Sequence, residues 1–285
     1  MDLCDRNDIQ TLLSRHGFHF SKSMGQNFLI EPWVPRDIAE ASGAGPDTGV
    51  LEIGPGIGPL TVELAKRAGR VAAVELDQRL LPILAETLSD YPNTAVISGD
   101  VMKLDLKALV TTHFPGLTPL VCANLPYNIT TPVLTLLLES GLFQTITVMI
   151  QKEVAERICA GPGKGDYGAF SVFCQYHAKT ELLFEVPRDC FLPAPKVTSA
   201  VLRLTPQPPP ACVHEEALFF RVVRGAFGLR RKTLLNALSA AFPLPKAELQ
   251  RCLDQSGLPP EIRGERLGIE EFARLSDEIS ARLTR

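Results

Sequence analysis

The sequence predicts an α/β protein in which a doubly wound, mostly parallel seven-stranded sheet precedes a small all-α C-terminal domain. From Val50 onward, short and nearly all-apolar segments alternate with segments of helical periodicity, which is typical of parallel strands covered by helices on both faces. Between Thr205 and Ala211, four prolines stop this pattern, and only helical periodicity follows. We therefore expect one domain at residues 1–206 and a second at 207–285.

The periodic segments define the expected elements in chain order. A first helix is expected over Asp8–His16, with Asp8 as its cap and Gly17 closing it, and a second over Pro32–Ser42. The predicted strands are Val50–Ile53, Arg70–Leu76, Ala95–Ser98, Leu120–Ala123, Ile146–Ile150, Glu181–Glu185 and Thr198–Leu204. The helices predicted between them are Leu60–Ala68, Gln78–Ser89, Thr131–Glu139, Glu153–Ala160 and Ala169–Ala178. The C-terminal helices are expected at Glu215–Gly228, Arg231–Ala241, Pro245–Ser256 and Ile269–Thr284.

Composition excludes several classes of protein. The 285 residues are 45% hydrophobic and 21% charged, which is enough to bury a full core and argues against disorder. No apolar run reaches the roughly 18 residues that cross a membrane, and the polar, acidic start of the chain is unlike a signal peptide. Seven scattered cysteines without a C-x-x-C pair indicate reduced thiols, with no disulfide framework and no metal site. We expect a cytoplasmic protein without a membrane partner, and a monomer.

Three glycines follow the first predicted strand of the sheet. Gly54, Gly56 and Gly58 form a G-x-G-x-G turn that leads into a helix, an arrangement that lets backbone N–H groups approach a ligand. The dinucleotide fingerprint needs G-x-G-x-x-G, and Pro59 stands at its third glycine position, which disfavours a dehydrogenase. A tight turn without a ligand is the simpler alternative for the glycines alone.

Polar side chains follow the next strands. Glu75 ends the second strand, where a carboxylate can accept hydrogen bonds from both ribose hydroxyls, and Asp100 follows the third, where it can accept from the amine of an adenine. Asn124 follows the fourth. Taken singly, Glu75 is equally well a helix N-terminal acid and Asp100 a turn residue. Four consecutive strand ends with matching chemistry favour an adenosine-containing ligand.

The segment Asn124-Leu-Pro-Tyr127 indicates the reaction. It matches a motif of amine methyltransferases, in which the Asn124 side-chain oxygen and the Leu125 carbonyl accept the two N–H groups of an aromatic amine. The nitrogen lone pair is then free to point at a methyl donor, while Tyr127 stacks on the base and Pro126 stiffens the loop. Such catalysis works by positioning and needs no strong general base. A proline turn with a core tyrosine is the structural alternative.

At this point the chain resembles a known family, the ribosomal RNA adenine dimethyltransferases, and within it the bacterial small-subunit enzymes. The similarity runs nearly end to end, and its departures are Pro59 and Gly264, neither at a matched site position. The motifs that carry it are Gly25-Gln-Asn-Phe-Leu29, Glu52-Ile-Gly-Pro-Gly56, Val74-Glu-Leu-Asp77, Asn124-Leu-Pro-Tyr-Asn-Ile129, Gln151-Lys-Glu-Val-Ala-Glu-Arg157, Phe191-Leu-Pro-Ala-Pro-Lys-Val197, Ala226-Phe-Gly-Leu-Arg-Arg-Lys232 and Arg263-Gly-Glu-Arg-Leu267.

The resemblance implies a Rossmann-like class I methyltransferase domain with S-adenosylmethionine as methyl donor. It implies that Asn27 and Leu29 close over this cofactor and that Phe191 faces Tyr127 across the target base. The cofactor contacts that it implies, together with the glycine turn, are Gly54, Gly56, Glu75, Asp100 and Asn124. The implied substrate is 16S rRNA in an immature small ribosomal subunit, dimethylated at two adjacent adenosines near its 3′ end.

A basic cluster at the start of the C-terminal domain is the candidate RNA-binding surface. Residues 1–195 carry a net charge of −7, whereas residues 196–285 carry +4. The twelve residues 221–232 contain no acid and five cations, which are Arg221, Arg224, Arg230, Arg231 and Lys232. On helices these cations would cover one flank with phosphate-binding charge, although a solvated helix face explains them equally well.

Two other functions stay open at this stage. A large-subunit adenine dimethylase that confers macrolide resistance has a similar pattern, but it typically lacks the proline of Glu52-Ile-Gly-Pro-Gly56 and the Asn-Ile after Tyr127. A non-catalytic ribosome-assembly factor, or a transcription factor of the related mitochondrial kind, would show eroded cofactor residues, and here all of them are present.

Overall fold

The computed structural model describes residues 1–18, 27–229 and 231–283, and the chain forms two compact units. The first, here called the sheet unit, comprises Met1–Ala155 and Thr180–Pro206, and the second, the helical unit, comprises Glu156–Lys179 and Gln207–Arg285. The sequence predicts a single domain boundary after residue 206 and so assigns residues 156–179 to the first domain. The structure assigns these residues to the helical unit. This segment joins the helical unit because its tyrosines lie in the same apolar core as the C-terminal helices.

The strands, in chain order, are β1 Phe28–Leu29, β2 Thr48–Ile53, β3 Arg70–Glu75, β4 Thr94–Ser98, β5 Thr118–Asn124, β6 Thr145–Gln151, β7 Ala178–Val186, β8 Phe191–Leu192 and β9 Ser199–Pro206. The first seven helices are α1 Arg6–Arg15, α2 Trp33–Ala41, α3 Pro59–Ala65, α4 Leu81–Thr87, α5 Leu106–His113, α6 Thr130–Ser140 and α7 Lys152–Cys159. Those that follow are α8 Ala169–His177, α9 Glu216–Gly228, α10 Leu234–Ala241, α11 Lys246–Gln255 and α12 Ile269–Leu283.

The main sheet confirms the predicted architecture. Its seven strands, among the described residues, are ordered β4-β3-β2-β5-β6-β9-β7. The neighbouring pairs from β4 to β6 are parallel, and β9 is antiparallel to β6. The chain builds outward from β2 through β3 to β4 and then returns to the other side of β2 at β5. The carboxyl ends of β2 and β5 therefore meet at the topological switch point, where open α/β sheets bind their ligands.

Apolar side chains on both faces of β2 explain why this strand is central. Val50 and Leu51 are fully buried, and Val50 shares a core with Val34 of α2 and Leu64 of α3. On a parallel strand both faces meet helices, so a continuous apolar run is required where an antiparallel surface strand would alternate. Glu52 interrupts this run, and it is also buried.

Several elements differ from the sequence prediction. Helix α5 was not predicted; Asp105 begins it by accepting a hydrogen bond from the Ala108 N–H at 3.0 Å. The cap of α1 is Asp5, which accepts from the N–H groups of residues 7 and 8, so the assignment of Asp8 was wrong. The start of α10 is Leu234, three residues later than predicted. Strands β1 and β8 have two residues each, too few for any periodicity to be visible.

No helix among the residues that the structure describes combines the length and apolarity needed to cross a bilayer. The seven cysteines are free thiols, and five of them are buried. Burial raises the pKa of Cys4 to about 12, which keeps this thiol protonated and unreactive.

A close contact between β2 and the residue after α5 yields a stability prediction. A Cβ added at Gly49 would lie 2.3 Å from the Phe114 ring, so Gly49→Ala forces the ring or the central strand to move. We expect a loss of about 1–3 kcal/mol in the free energy of unfolding, measured by urea denaturation. Gly45→Ala is the matched control, because a Cβ there meets nothing within 4 Å. Equal stability of the two variants would contradict the prediction.

Candidate active site

The glycine turn after β2 forms the floor of a cavity at the switch point. Gly54, Gly56 and Gly58 have φ of +70°, +64° and +97°, a backbone region that side chains rarely tolerate. A Cβ at Gly56 would lie 3.3 Å from the Phe28 ring. Gly58 precedes α3, with Pro59 at the first helical position, where its missing N–H costs no hydrogen bond. The turn therefore presents bare backbone to the cavity.

The predicted cofactor residues come together around this cavity. Its wall includes all seven of them, namely Asn27, Leu29, Gly54, Gly56, Glu75, Asp100 and Asn124. They belong to segments far apart in sequence. Parallel pairing of four adjacent strands brings five of them to one edge of the sheet, and Asn27 and Leu29 come from the segment of β1. The cavity is also lined by residues that sequence reasoning did not single out, including Glu52, Leu76 and Val101.

Glu75 is held by the glycine turn itself. Its Oε2 accepts a hydrogen bond from the Gly56 N–H at 3.3 Å, and its Oε1 accepts from the Asp77 N–H at 2.8 Å. Burial raises the pKa of this carboxyl group. A carboxylate has about four acceptor positions, so Glu75 retains capacity for ligand hydroxyl groups while its orientation is fixed.

Asp100 has two roles in the structure. Its Oδ1 accepts from the Met102 N–H at 3.0 Å and starts a short 3-10 turn, as the turn alternative predicts. Its side chain nevertheless lines the cavity. Leu76, another residue of the cavity wall, exposes 56% of its surface although it directly follows a buried strand. An exposed leucine on a cavity wall is suited to cover the face of a flat ring.

Glu52 is the site residue that sequence reasoning missed. Its side chain is 1% exposed, and Oε2 has no hydrogen-bond partner among the described residues. Burial, with a smaller contribution from Glu75, raises its pKa to about 8. The sequence signal was present: Glu52 is an acid within an otherwise apolar strand. A buried carboxyl group with an unpartnered oxygen in a cavity is suited to a cationic ligand.

The segment Asn124–Tyr127 forms the opposite rim. The Leu125 N–H donates to the Met149 carbonyl at 3.1 Å, which fixes the loop to β6. The Asn124 side-chain amide and the Leu125 carbonyl accept no hydrogen bond from the described residues. A Cβ at Gly54 would lie 3.8 Å from the Pro126 ring, so the rim contacts the glycine floor. Two acceptors are therefore open at the point where the two loops meet.

Tyr127 is fixed by a partner from a different strand. Its hydroxyl group lies 2.7 Å from the Ser199 hydroxyl, and Ser199 is fully buried at the start of β9. Burial raises the pKa of Tyr127, so its hydroxyl group stays protonated near neutral pH. This bond holds the tyrosine ring at the cavity wall.

The pairing of β1 with β8 brings the N-terminal segment to the site. Leu29 lies opposite Phe191 in this antiparallel pair, and the Ile30 N–H donates to the Cys190 carbonyl at 2.9 Å. Phe191 itself is 2% exposed and packs in the core with Leu29, and it is not among the residues that line the cavity. The role that the resemblance implies for Phe191, across the target base from Tyr127, stays a prediction. Gly25 and Gln26 of the N-terminal motif lie outside the described residues.

The cations of the basic cluster in the helical unit differ in their contacts and in the elements that carry them. The Arg221 side chain donates to the Ala241 carbonyl at 3.2 Å and lies 4.5 Å from the Phe242 ring centroid, so it supports the end of α10. Arg224 is exposed on α9. Arg231 and Lys232 are exposed in the turn before α10, and the expectation that they lie on a helix was wrong because that helix begins only at Leu234. Arg230 lies outside the described residues.

Comparison with known proteins identifies the family. The family model described as ribosomal RNA adenine dimethylase matches residues 17–281. The chain belongs to this family. It is therefore an S-adenosylmethionine-dependent methyltransferase that acts on adenine in ribosomal RNA.

Relatives and solved structures agree with this family. Proteins named ribosomal RNA small subunit methyltransferase A from Geobacillus thermodenitrificans and Bacillus mycoides are each 47% identical over 284 residues, covering 98% of this chain and 97% of each relative. The structure of the 23S rRNA methyltransferase ErmE is 30% identical with a TM-score of 0.66, covering 89% of this chain and 100% of that one. A dimethyladenosine transferase from Plasmodium falciparum is 26% identical with a TM-score of 0.72, covering 89% of this chain and 98% of that one.

The residues present fit the cofactor of this family. S-adenosylmethionine carries an ammonium group and a sulfonium group, and the cavity offers the buried carboxyl groups of Glu52 and Glu75, whereas no lysine or arginine is among the described residues that line it. The glycine floor leaves space that side chains would fill. These carboxyl groups, whose charged form a cationic ligand would favour, and the open backbone therefore match the ligand.

The buried carboxyl group of Glu52 predicts that Glu52→Gln raises the stability of the cofactor-free protein and lowers its affinity for the cofactor. Because its pKa is about 8 in the folded protein and ordinary when unfolded, the cofactor-free protein loses stability as pH rises from about 4.5 to 8. Glu52→Gln should remove this loss and raise the unfolding midpoint more at pH 9 than at pH 6. If the carboxylate pairs with the cationic cofactor, the same variant should weaken S-adenosylmethionine binding roughly tenfold at pH 8.5, measured by calorimetry. Unchanged affinity at pH 8.5 would refute the pairing.

The Tyr127–Ser199 bond predicts a non-additive pair. Ser199→Ala leaves the tyrosine hydroxyl group half-buried without its partner and should reduce the free energy of unfolding by about 1–2 kcal/mol. Adding Tyr127→Phe should restore part of that loss, since both polar groups are then absent. Urea denaturation of the two single variants and the double variant measures the coupling. Strict additivity would show that the bond contributes nothing.

Proposed function

We propose that this chain dimethylates the 6-amino groups of two adjacent adenosines near the 3′ end of 16S rRNA, acting on the immature small ribosomal subunit. The observation that carries the proposal is the pair of open acceptors on Asn124 and Leu125 at the switch point. The small-subunit assignment is supported by near-complete alignment at 47% identity with relatives named small subunit methyltransferase A. The protein would act as a monomer in the cytoplasm, where its substrate is assembled.

The chain's own residues account for the positioning of an adenine. The side-chain oxygen of Asn124 and the carbonyl oxygen of Leu125 would accept the two N–H groups of the amine, which turns the nitrogen lone pair away from the aromatic ring. Tyr127, held by Ser199, would stack on the base, and Pro126 limits movement of the loop. S-adenosylmethionine supplies the electrophilic methyl group when it is bound. The proton leaving the nitrogen can pass to water, so a buried general base is not required.

The same residues would hold the cofactor. Glu75 would accept from the ribose hydroxyl groups, Asp100 from the adenine amine of the cofactor, and Glu52 would face its cationic end. Leu76 and Val101 would cover the adenine ring, while Asn27 and Leu29 close the N-terminal side. Each of these residues lines the cavity. Arg224, Arg231 and Lys232 would contact RNA phosphates from the helical unit.

Two alternatives are less well supported. A large-subunit dimethylase is represented by ErmE, which is 30% identical, whereas small-subunit relatives reach 47%. A non-catalytic assembly factor would not need to retain an acceptor pair, a glycine floor and three carboxyl groups around one cavity. In the second methyl transfer the monomethylated amine has a single N–H to donate, so one of the two acceptors would orient it, and the pocket would have to hold the first methyl group as well.

Substitution of Asn124 tests the proposal. Purified protein is incubated with labelled S-adenosylmethionine and either undermethylated small subunits or naked large-subunit RNA, and the nucleosides are analysed after digestion. Wild-type protein should form dimethyladenosine in the small subunits only. Asn124→Ala should reduce the rate at least about 100-fold because one of two orienting acceptors is lost.

Asn7→Ala, an exposed asparagine in α1, is the matched control and should keep full activity. Label in large-subunit RNA would assign the protein to the other class of dimethylases. An Asn124→Ala variant with full activity would remove the acceptor pair from the mechanism.

A further inference from the structure

The helical unit carries a row of aromatic side chains that methyl transfer does not use. The row, here called the aromatic row, consists of Phe170, Phe173, Phe220 and Phe227. Each is half-buried, whereas Phe219 and Phe272 of the same unit are fully buried in its core. Aromatic rings that keep one side accessible can stack on flat ligands, and nucleic-acid-binding proteins use them in this way.

Local geometry holds the row together. Phe170 and Phe173 lie one turn apart on α8, with their rings nearly parallel at 7° and centroids 5.9 Å apart. The Phe173 ring is 5.4 Å from Phe220 of α9. Phe220 and Phe227 share one flank of α9, and the exposed Arg224 lies between them at spacings of four and three residues. A cation therefore belongs to the same surface as the rings.

Two rings of the aromatic row line a surface cavity of about 410 Å³. Its lining comprises Arg157, Asp166, Gly168, Ala169, Phe170 and Phe227. Arg157 and Asp166 are exposed, and neither forms an ion pair within the described part of the chain. Phe227 packs edge-on against Tyr167, with centroids 5.6 Å apart, which fixes the orientation of its ring. The cavity thus combines two apolar ring walls, one available cation and one available acceptor.

We propose that this cavity binds one unpaired nucleotide of the ribosomal RNA substrate, other than the adenosine that is methylated. The base would pack against Phe170 and Phe227, the phosphate would pair with Arg157, and Asp166 would accept a hydrogen bond from the base edge. The inference rests on the proposed function, since it assumes an RNA substrate. A flat apolar face next to an anion is the chemistry of a nucleotide, and Asp166 favours a base that carries an amino group.

Binding measurements with the full chain test this site. The dissociation constant for undermethylated small subunits is measured for wild-type protein, Phe170→Leu and Arg157→Gln. Phe170→Leu keeps apolar volume but loses the flat ring, and Arg157→Gln loses the charge at an exposed position that does not threaten folding. Each should weaken subunit binding roughly tenfold and raise KM, while S-adenosylmethionine affinity and the rate at saturating subunit stay unchanged.

Arg274→Gln is the matched control, because this exposed arginine of α12 loses the same charge outside the cavity. It should bind subunits within about twofold of the wild-type protein. The second measurement replaces Phe170 with the photocrosslinker p-benzoylphenylalanine and digests the complex with nuclease. Crosslinking to ribosomal RNA is expected.

The outcomes separate this site from the proposed function. If wild-type protein transfers no methyl group to small subunits, the proposed function fails, whatever the variants do. If it transfers methyl groups but Arg157→Gln binds subunits as the control does, the nucleotide site is overturned. Crosslinks to ribosomal protein alone would assign the surface to a protein partner and overturn it as well.

Discussion

The parallel pairing of β2 with β5 is the constraint on which the site depends. Its register runs from Thr48 opposite Thr118 to Leu51 opposite Val121, so both strands end at the same edge of the sheet. The loops that follow, the glycine turn and Asn124–Tyr127, are thereby forced into contact. A slip of one residue would turn the apolar side chains of β2 to the opposite face and separate these loops. Val50 and Leu51 are both fully buried, so a slip would exchange side chains between two packed faces and disrupt the packing of each; core packing and site geometry therefore have the same cause.

The second property of the site is an imbalance of charge. Burial raises the pKa of Glu52 and of Glu75, the Glu75 charge adds to the shift of Glu52, and no described lysine or arginine lines their cavity. Natural cores avoid unpaired buried carboxyl groups because desolvation is expensive. A cationic ligand relieves this cost. Its binding therefore raises the free energy of unfolding, because the ligand supplies the positive charge that the folded protein lacks around these carboxyl groups.

The proposed function would divide the work between the two units along physical lines. The sheet unit would orient the amine with acceptors on loops that follow its strands, such as the loop fixed by the Leu125–Met149 backbone hydrogen bond. The helical unit would hold RNA with its exposed cations. The basic cluster also shows that not every cation in a sequence is available to bind a ligand. Arg221 is engaged with the end of α10 and Phe242, while Arg224 stays exposed.

The sequence by itself determined the sheet, most helices and the chemistry of the strand ends. Short apolar strands, glycines at alternate positions and Asn124-Leu-Pro-Tyr127 are local signals, and each depends on only a few neighbouring residues. Helix α5 was missed because its eight residues carry weak periodicity, and β1 with β8 because two residues carry none.

Only the tertiary structure decided what depends on distant partners. It placed Phe191 in the core opposite Leu29, joined segment 156–179 to the helical unit, and paired Tyr127 with Ser199. It also left one oxygen of Glu52 without a hydrogen-bond partner among the described residues. These outcomes follow from which strands and helices meet, and contacts between residues far apart in the chain leave no periodic trace in the sequence.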